Sequence, residues 1–239
     1  MQKTQFQNPI FVAIDTPDID KALALGKSLK GKVGGLKLGL EFFMANGPQG
    51  IEKISALDIP IFLDLKLHDI PNTVSGALRS LAPLAPAFIT LHSQGGAAMM
   101  EAAAKTVAAE AEKQDIPRPL LLSVTILTSL DGDDLQAQGG DGDVGAQVGR
   151  LAQLAKSSKI DGIVCSPFEV AAMREALGED AYLIVPGIRP TGSAAGDQKR
   201  VMTPKQALNA GADILVIGRP ITQAEDPAKA ATTIAAELA

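Results

Sequence analysis

Residues 61–73 read IFLDLKLHDIPNT. The first half has the apolar pattern of a buried strand, and Pro71 marks the first turn of a following helix. Because strand side chains alternate between faces, Asp64 and Lys66 are expected on one side, with Asp69 in the turn just beyond them. Charges in a segment built for burial are unfavourable unless they pair or take part in chemistry. A structural ion pair would explain Asp64 and Lys66 alone, but three converging charges favour a functional site.

Apolar runs of strand length alternate with Ala- and Leu-rich segments along the whole chain. Most runs are continuously apolar, which is typical of parallel strands buried on both faces. No linker or break in composition divides the alternation, so the pattern predicts an α/β protein, a single-domain (β/α)8 TIM barrel over residues 1–239. The eight predicted strands are 10–15, 34–39, 60–67, 87–93, 120–127, 161–166, 182–188 and 213–218.

Helix boundaries are marked by short local signals. Four dipeptides place a capping side chain before a proline at the first helical position, namely Thr16-Pro17, Ser166-Pro167, Thr203-Pro204 and Asp226-Pro227. Ser166 and Glu169 also have the spacing of a capping box. Glycines expected just after helix ends are Gly31, Gly178 and Gly211.

The composition excludes several classes of protein. The net charge is −5, aromatic residues are 3% of the chain, and no run of Lys or Arg is present, which disfavours nucleic-acid binding. No apolar run reaches the roughly 18 residues of a membrane helix. One cysteine, Cys165, excludes an internal disulfide, and two histidines with one cysteine disfavour a His/Cys metal site. With no signal peptide in the sequence, a reducing cytoplasm is expected.

Polar residues stand where the predicted strands end, which is where (β/α) barrels carry their active sites. Lys37 lies between two leucines in an apolar strand and needs a counter-charge, which strand three supplies. Asp15 alone is equally consistent with helix-terminal electrostatics. Residues at or just after strand ends are Asp15, Lys37, Asp64, Lys66, Ser93, Thr128, Arg189 and Arg219.

The loops after strands seven and eight indicate an anionic ligand. In (β/α) barrels these two loops often form a phosphate site. Residues 189–200 read RPTGSAAGDQKR, and their small side chains allow backbone amides to close around an anion. Residues 218–222 read GRPIT, where Gly218 permits close approach and Arg219 is suited to bidentate phosphate binding. A surface loop and a tight strand-to-helix connection are the alternatives, but together the two loops predict a phosphate site.

Five motifs together resemble orotidine 5'-phosphate decarboxylases of the bacterial type. They are DLKLHDIPNT, AIDTPD, GLKLG, PGIRP and VIGRPIT, and they follow the family's order over strands one to eight. The block Asp64–Thr73 is highly specific, whereas PGIRP or GRPIT alone is weak. The resemblance implies a homodimeric (β/α) barrel that converts orotidine 5'-monophosphate to UMP and CO2 in de novo pyrimidine biosynthesis, without cofactor or metal.

The resemblance also assigns roles to residues. The catalytic charge array falls on Lys37, Asp64, Lys66 and Asp69. Lys66 would stabilise and protonate the C6 carbanion, and Asp69 and Thr73 would enter the partner subunit's site. The implied substrate-binding residues are Asp15 and Lys37 for the ribose, Thr128 for the pyrimidine, and Arg189, Gln198, Gly218 and Arg219 for the phosphate. Ser123 and Thr125 are neighbours that leave the pyrimidine contact open.

Two other functions fit parts of the pattern. Related barrels that act on sugar phosphates, such as 3-keto-gulonate 6-phosphate decarboxylase or hexulose-phosphate synthase, share the Asp-x-Lys-x-x-Asp strand but use Mg²⁺. They usually have an acidic residue where this chain has Lys37. A non-enzymatic barrel that keeps the phosphate site is the second alternative, which the intact charge array disfavours.

The segment 131–143, DGDDLQAQGGDGD, has no place in these motifs. It is an insertion or a local surface loop. Its acidic spacing suggests a calcium loop, but the EF-hand order and closing Glu are missing, so a solvated loop is expected.

Overall fold

The computed structural model describes residues 6–190 and 202–238. Its parallel strands close into a barrel in the order β1 to β8, each strand pairing with the next in sequence and β8 with β1. This confirms the predicted single-domain (β/α)8 barrel. The strands are β1 Ile10–Ile14, β2 Gly35–Gly39, β3 Ile61–Leu67, β4 Phe88–His92, β5 Leu120–Val124, β6 Gly162–Val164, β7 Tyr182–Val185 and β8 Ile214–Ile217.

Helices follow the strands along the chain and cover the outside of the barrel. They are α1 Ile19–Leu29, α2 Leu40–Ser55, α3 Pro71–Leu81, α4 Gly96–Gln114, α5 Gly132–Ala137, α6 Val144–Ser157, α7 Val170–Leu177, α8 Pro204–Asn209, α9 Arg219–Thr222 and α10 Pro227–Ala236. The main core packs leucines and isoleucines of the strands against apolar residues of the helices. Within the described segments, no helix combines the length and the apolar composition needed to cross a bilayer.

Aromatic side chains fill the N-terminal half of the barrel interior. Phe88 makes edge-to-face contacts with Phe11, Phe62 and Tyr182, at centroid distances of 5.8, 5.8 and 5.7 Å. Gly35 makes room for this cluster, because a Cβ there would lie 2.1 Å from the Phe11 ring. With the lower interior filled by these rings, the space open to a ligand lies toward the C-terminal ends of the strands.

Several strands end earlier than predicted. β7 stops at Val185 instead of residue 188, because Pro186 has no N–H to continue the ladder. β5 stops at Val124 instead of residue 127, and the hydroxyl of Thr125 donates to the Val164 carbonyl at 3.3 Å in place of a ladder bond. These early ends leave irregular backbone at the mouth of the barrel.

One predicted helix start is wrong and three are confirmed. Thr16 is not a cap, because α1 begins at Ile19 and the Asp18 carboxylate accepts from the N–H groups of Asp20 and Lys21. Thr203 and Asp226 are the N-caps of α8 and α10, as predicted. Ser166 is the N-cap of a 3-10 turn, Pro167–Glu169, that runs into α7, and its N–H donates to Glu169 at 2.8 Å. The predicted C-terminal glycines, Gly31, Gly178 and Gly211, all have positive φ.

The acidic segment 131–143 contains the short helix α5 rather than only loop. Asp131 caps α5 and Asp143 caps α6, each through its carboxylate and backbone N–H groups. Asp141 forms an exposed ion pair with Arg150. The carboxylates that suggested a cation site therefore bind the chain's own helix ends and an arginine.

Two aspartates stabilise the N-terminal face of the barrel in the same way. Asp161, just before β6, accepts the N–H of Leu121 and pairs with Arg118 at 2.6 Å. Asp213, just before β8, accepts the N–H of Leu183 and pairs with Arg174 at 2.6 Å. Each carboxylate thus joins neighbouring strands at the end opposite the predicted site, where (β/α) barrels carry stabilising interactions.

Arg174→Leu should lower the free energy of unfolding by about 3 kcal/mol, because it leaves the largely buried Asp213 carboxylate without its cation. The Arg174 guanidinium also donates to the carbonyls of Gly178, Ala181 and Gly211. Urea unfolding measures the loss, and Arg150→Leu, which removes an exposed ion pair, is the control with a much smaller effect. Equal losses in the two variants would contradict this account.

Candidate functional site

Four charged side chains of alternating sign lie in a row at the C-terminal ends of β1, β2 and β3. The Lys37 ammonium is 3.5 Å from carboxylate oxygens of both Asp15 and Asp64. The Lys66 ammonium is 2.8 Å from the other Asp64 oxygen. Lys37 therefore has the counter-charge on strand three that the sequence predicts, and Asp64 lies between two ammonium groups.

The Asp64 carboxyl is held in its charged form. Its side chain is only 14% exposed, and this burial alone would raise its pKa. Attraction to Lys37 and Lys66, with hydrogen bonds from Lys66 and Thr90, outweighs burial and leaves the pKa below its ordinary value. Asp64 is consequently a carboxylate at neutral pH, able to fix both lysine side chains.

Lys66 reaches Asp64 by a route that strand alternation does not predict. Its φ is +51°, in the left-handed region that non-glycine residues rarely adopt. The pairing between β3 and β4 shifts at this point, between Leu63 and Leu67. The expectation that Asp64 and Lys66 lie together is confirmed, but through a bulged backbone rather than through regular alternation.

Two adjoining cavities meet at the charge row. The smaller, of about 170 Å³, is mostly apolar and also reaches Lys66. The larger, of about 440 Å³, is mostly polar and extends to the ends of β7 and β8. Lys37 and Asp64 line both. The site therefore offers an apolar compartment and a polar compartment on either side of fixed charges.

The three candidate contacts on the β5 side differ in position. Thr128 lines the apolar cavity. Ser123 is buried with its hydroxyl 2.5 Å from that of Ser93, and the Thr125 hydroxyl donates to the Val164 carbonyl. Neither Ser123 nor Thr125 is among the residues that line the two cavities. Of the three residues that the sequence offered for the pyrimidine contact, Thr128 is thus the one whose position suits it.

Two arginines and a glycine lie at the far end of the polar cavity. Arg189, Gly218 and Arg219 line it together. Burial and repulsion from Arg219 lower the pKa of Arg189, and its Nε is buried without a hydrogen-bond partner among the described residues. An anion bound at this end of the cavity would offset the repulsion between the two guanidinium groups. Gln198, predicted to join them, lies outside the described residues.

Asp69 and Thr73 are not part of the charge row within this chain. Both are exposed, and the Asp69 carboxylate accepts the N–H of Ile70 at 2.7 Å. Ile70 itself is 67% exposed although it is apolar. The chain on its own thus brings together Asp15, Lys37, Asp64 and Lys66 but not Asp69.

Two further residues of β4 lie next to the site, and of these Thr90 was missed from the sequence. Thr90 is fully buried and contacts both Asp64 and Lys66. His92 is partly buried, and burial followed by repulsion from His68 and Lys66 lowers its pKa. The signal for Thr90 was available, because a lone hydroxyl between Ile89 and Leu91 in an apolar strand requires a partner, as Lys37 did.

Known proteins share this fold and sequence over almost the whole chain. The model of the orotidine 5'-phosphate decarboxylase / HUMPS family matches residues 8–234. The chain is a member of this family. The resemblance carried by the sequence motifs is thereby confirmed.

Alignments with individual relatives cover nearly the whole length of both proteins. Orotidine 5'-phosphate decarboxylase of Paramagnetospirillum magneticum is 54% identical over 97% of this chain and 98% of its own. The enzyme of that name from Rhodospirillum rubrum is 52% identical over 97% and 94%. A crystal structure of orotidine 5'-phosphate decarboxylase from Lactobacillus acidophilus superposes with a TM-score of 0.84 at 36% identity, covering 97% of this chain and 99% of that one.

Arg219→Ala should weaken binding of ribose 5-phosphate by about 10- to 100-fold, because it removes a charged hydrogen-bond donor from the polar cavity. Isothermal titration calorimetry measures the affinity. Arg150→Ala, which removes an exposed arginine on α6, is the matched control. Unchanged affinity in Arg219→Ala would place the anion elsewhere.

Proposed function

We propose that this protein decarboxylates orotidine 5'-monophosphate to UMP and CO2 in de novo pyrimidine biosynthesis. The proposal rests on one observation above all. The Lys37–Asp64–Lys66 row lies between a mostly apolar cavity, suited to a nucleobase, and a polar cavity lined by two arginines. Relatives more than 50% identical carry the name of that decarboxylase.

The two cavities suggest how the substrate lies. The pyrimidine enters the apolar cavity, where Thr128 and Lys66 line the wall. The ribose hydroxyls bind Asp15 and Lys37, which line the polar cavity. The phosphate binds Arg189, Arg219 and the backbone at Gly218, and the family resemblance assigns Gln198 to the same role. This orientation sets the C6 carboxylate of the base toward the charge row.

Lys66 is the catalytic group of the proposed reaction. The bond between C6 and its carboxylate breaks, CO2 leaves, and the electron pair stays on C6. The Lys66 ammonium stabilises this carbanion by its charge and then donates a proton to C6, which gives UMP. The neutral Lys66 amine regains a proton from solvent. Asp64 holds the ammonium in place before charge develops, so little reorganisation is needed during the reaction.

A second copy of the chain completes the site in this proposal. Asp69 and Thr73 reach the partner subunit's site, where Asp69 joins the array next to Lys66. Support comes from the exposure of both residues and of the apolar Ile70 between them. We further propose that residues 1–239 act as one catalytic domain in the cytoplasm, where Cys165 stays a buried thiol.

The sugar-phosphate enzymes of the same family are the main alternative. Their Mg²⁺ needs acidic ligands, and here the Lys37 ammonium fills the place between the Asp15 and Asp64 carboxylates. In the part of the chain that the structure describes, no group of three His, Cys, Asp or Glu side chains has the arrangement of a metal site. The donor set thus favours the nucleotide substrate.

Lys66→Ala should reduce turnover of orotidine 5'-monophosphate by at least about 10⁴-fold, because both carbanion stabilisation and proton donation are lost. Binding of UMP should change by only a few-fold, since the phosphate and ribose contacts remain. Ultraviolet absorbance follows the reaction, with and without EDTA, and calorimetry follows UMP binding. Lys27→Ala, an exposed lysine on α1, is the matched control.

Substantial activity in Lys66→Ala would overturn the proposed mechanism. Activity that EDTA abolishes, or turnover of a sugar phosphate only when Mg²⁺ is added, would move the protein to the alternative branch of the family.

Mixing Lys66→Ala with Asp69→Ala protomers should restore activity to about a quarter of wild type, because half of randomly formed dimers then carry one intact site. Each variant alone should be nearly inactive. The mixture is equilibrated at low protein concentration and assayed after reconcentration. Recovery of no activity would show that Asp69 does not act across subunits.

A further inference from the structure

The bulge in β3 leaves one residue of β4 opposite three residues of β3. Leu63 pairs with Ile89 and Leu67 pairs with Leu91, so Thr90 alone faces the stretch from Asp64 to Lys66. A bulged strand loses regular ladder bonds at the extra residues. The Lys66 N–H therefore needs a partner other than a β4 carbonyl.

The Thr90 hydroxyl supplies that partner and a second bond. Its Oγ1 accepts the Lys66 N–H at 2.9 Å and donates to Asp64 Oδ1 at 3.0 Å. The same Asp64 oxygen accepts the Lys66 ammonium at 2.8 Å. Thr90 is fully buried, so water does not compete for these bonds. One hydroxyl thus connects the backbone of Lys66 to the carboxylate that holds its side chain.

We propose that Thr90 is a positioning residue that sets the Lys66 ammonium at the reacting carbon. The inference rests on the proposed function of Lys66. Thr90 lines neither cavity and acts only through the two residues it binds. The hydroxyl donates its one proton to Asp64 and accepts one hydrogen bond from Lys66, which is within the capacity of one donor and two acceptor lone pairs.

The need for this bond follows from the Lys66 backbone. A lysine at φ +51° is strained, and such a conformation persists only where surrounding contacts hold it. Without the Thr90 hydroxyl, the Lys66 N–H is left unpaired and the peptide is free to relax toward regular strand geometry. That relaxation moves the side chain across the strand and away from the substrate. A displacement of about 1 Å is enough to slow a positioned reaction by about 10²-fold.

Thr90→Val removes the hydroxyl and keeps the branched shape. It should lower kcat for orotidine 5'-monophosphate by about 10²-fold while KM changes only a few-fold, because the phosphate and ribose contacts are untouched. Thr106→Val, which removes a helix hydroxyl on α4 that donates to the Ala102 carbonyl, is the matched control and should leave both constants unchanged. Wild-type kcat in a folded Thr90→Val enzyme would overturn the inference.

A pH profile separates positioning from a general loss of stability. The Thr90 hydrogen bond stabilises the charged form of Asp64 and so lowers its pKa. Removing the bond raises that pKa, so the acid limb of kcat/KM should move to higher pH in Thr90→Val. A change that only destabilises the fold would lower the amount of active enzyme without moving the limb.

Thr90→Ser and Thr90→Ala form a second pair, which serves if the valine variant does not fold. Both lose the methyl group, and only serine keeps the hydroxyl. Serine should keep kcat within a few-fold of wild type while alanine loses about 10²-fold. Equal kcat in the two would show that the hydroxyl has no positioning role. Wild type and Lys66→Ala are assayed alongside. If wild type does not turn over orotidine 5'-monophosphate, the proposed function fails, and if Lys66→Ala retains turnover, the proposed role of Lys66 fails. Full activity in Thr90→Val beside an inactive Lys66→Ala removes only the role of Thr90.

Discussion

The Asp64 carboxylate is the charge on which the site depends. It lies between the ammonium groups of Lys37 and Lys66 and accepts a hydrogen bond from Thr90. Two lysines side by side at the mouth of an apolar barrel would repel each other without it. Because Asp64 stays charged, both ammonium groups are fixed before substrate arrives, as the proposed stabilisation of a carbanion requires.

The barrel makes that arrangement possible because the contacts that stabilise the fold and the charges of the site lie at opposite ends of the strands. Aromatic rings around Phe88 fill the N-terminal half of the interior, and the Arg174–Asp213 pair joins strands on the same face. The charged side chains of Asp15, Lys37, Asp64 and Lys66 lie at the opposite, C-terminal end. The strained backbone of Lys66 and the mutual repulsion of Arg189 and Arg219 also lie at that end, where we propose that the substrate binds.

Much of the fold and part of the site could be predicted from the sequence, because the patterns that indicate them lie within short segments. Continuous apolar runs and proline-marked helix starts predict eight βα units, and the position of Lys37 among leucines predicts a buried counter-charge. The errors also have local causes. Pro186 ends β7 early, and Asp18 competes successfully with Thr16 as the cap of α1. The sequence does not assign a role to the acidic segment 131–143. Aspartates that cap helices and aspartates that bind a cation have the same composition, so the segment's residues alone do not distinguish them.

By itself the sequence determined the barrel, the family and the set of charged residues, since each follows from periodicity or from motif order along the chain. The tertiary structure alone decided how those charges meet. The bulge that turns Lys66 toward Asp64 depends on the register between β3 and β4, and Thr90 matters only because that register places it opposite the bulge. Register arises from the closure of all eight strands into one ring, so no segment of sequence specifies it alone.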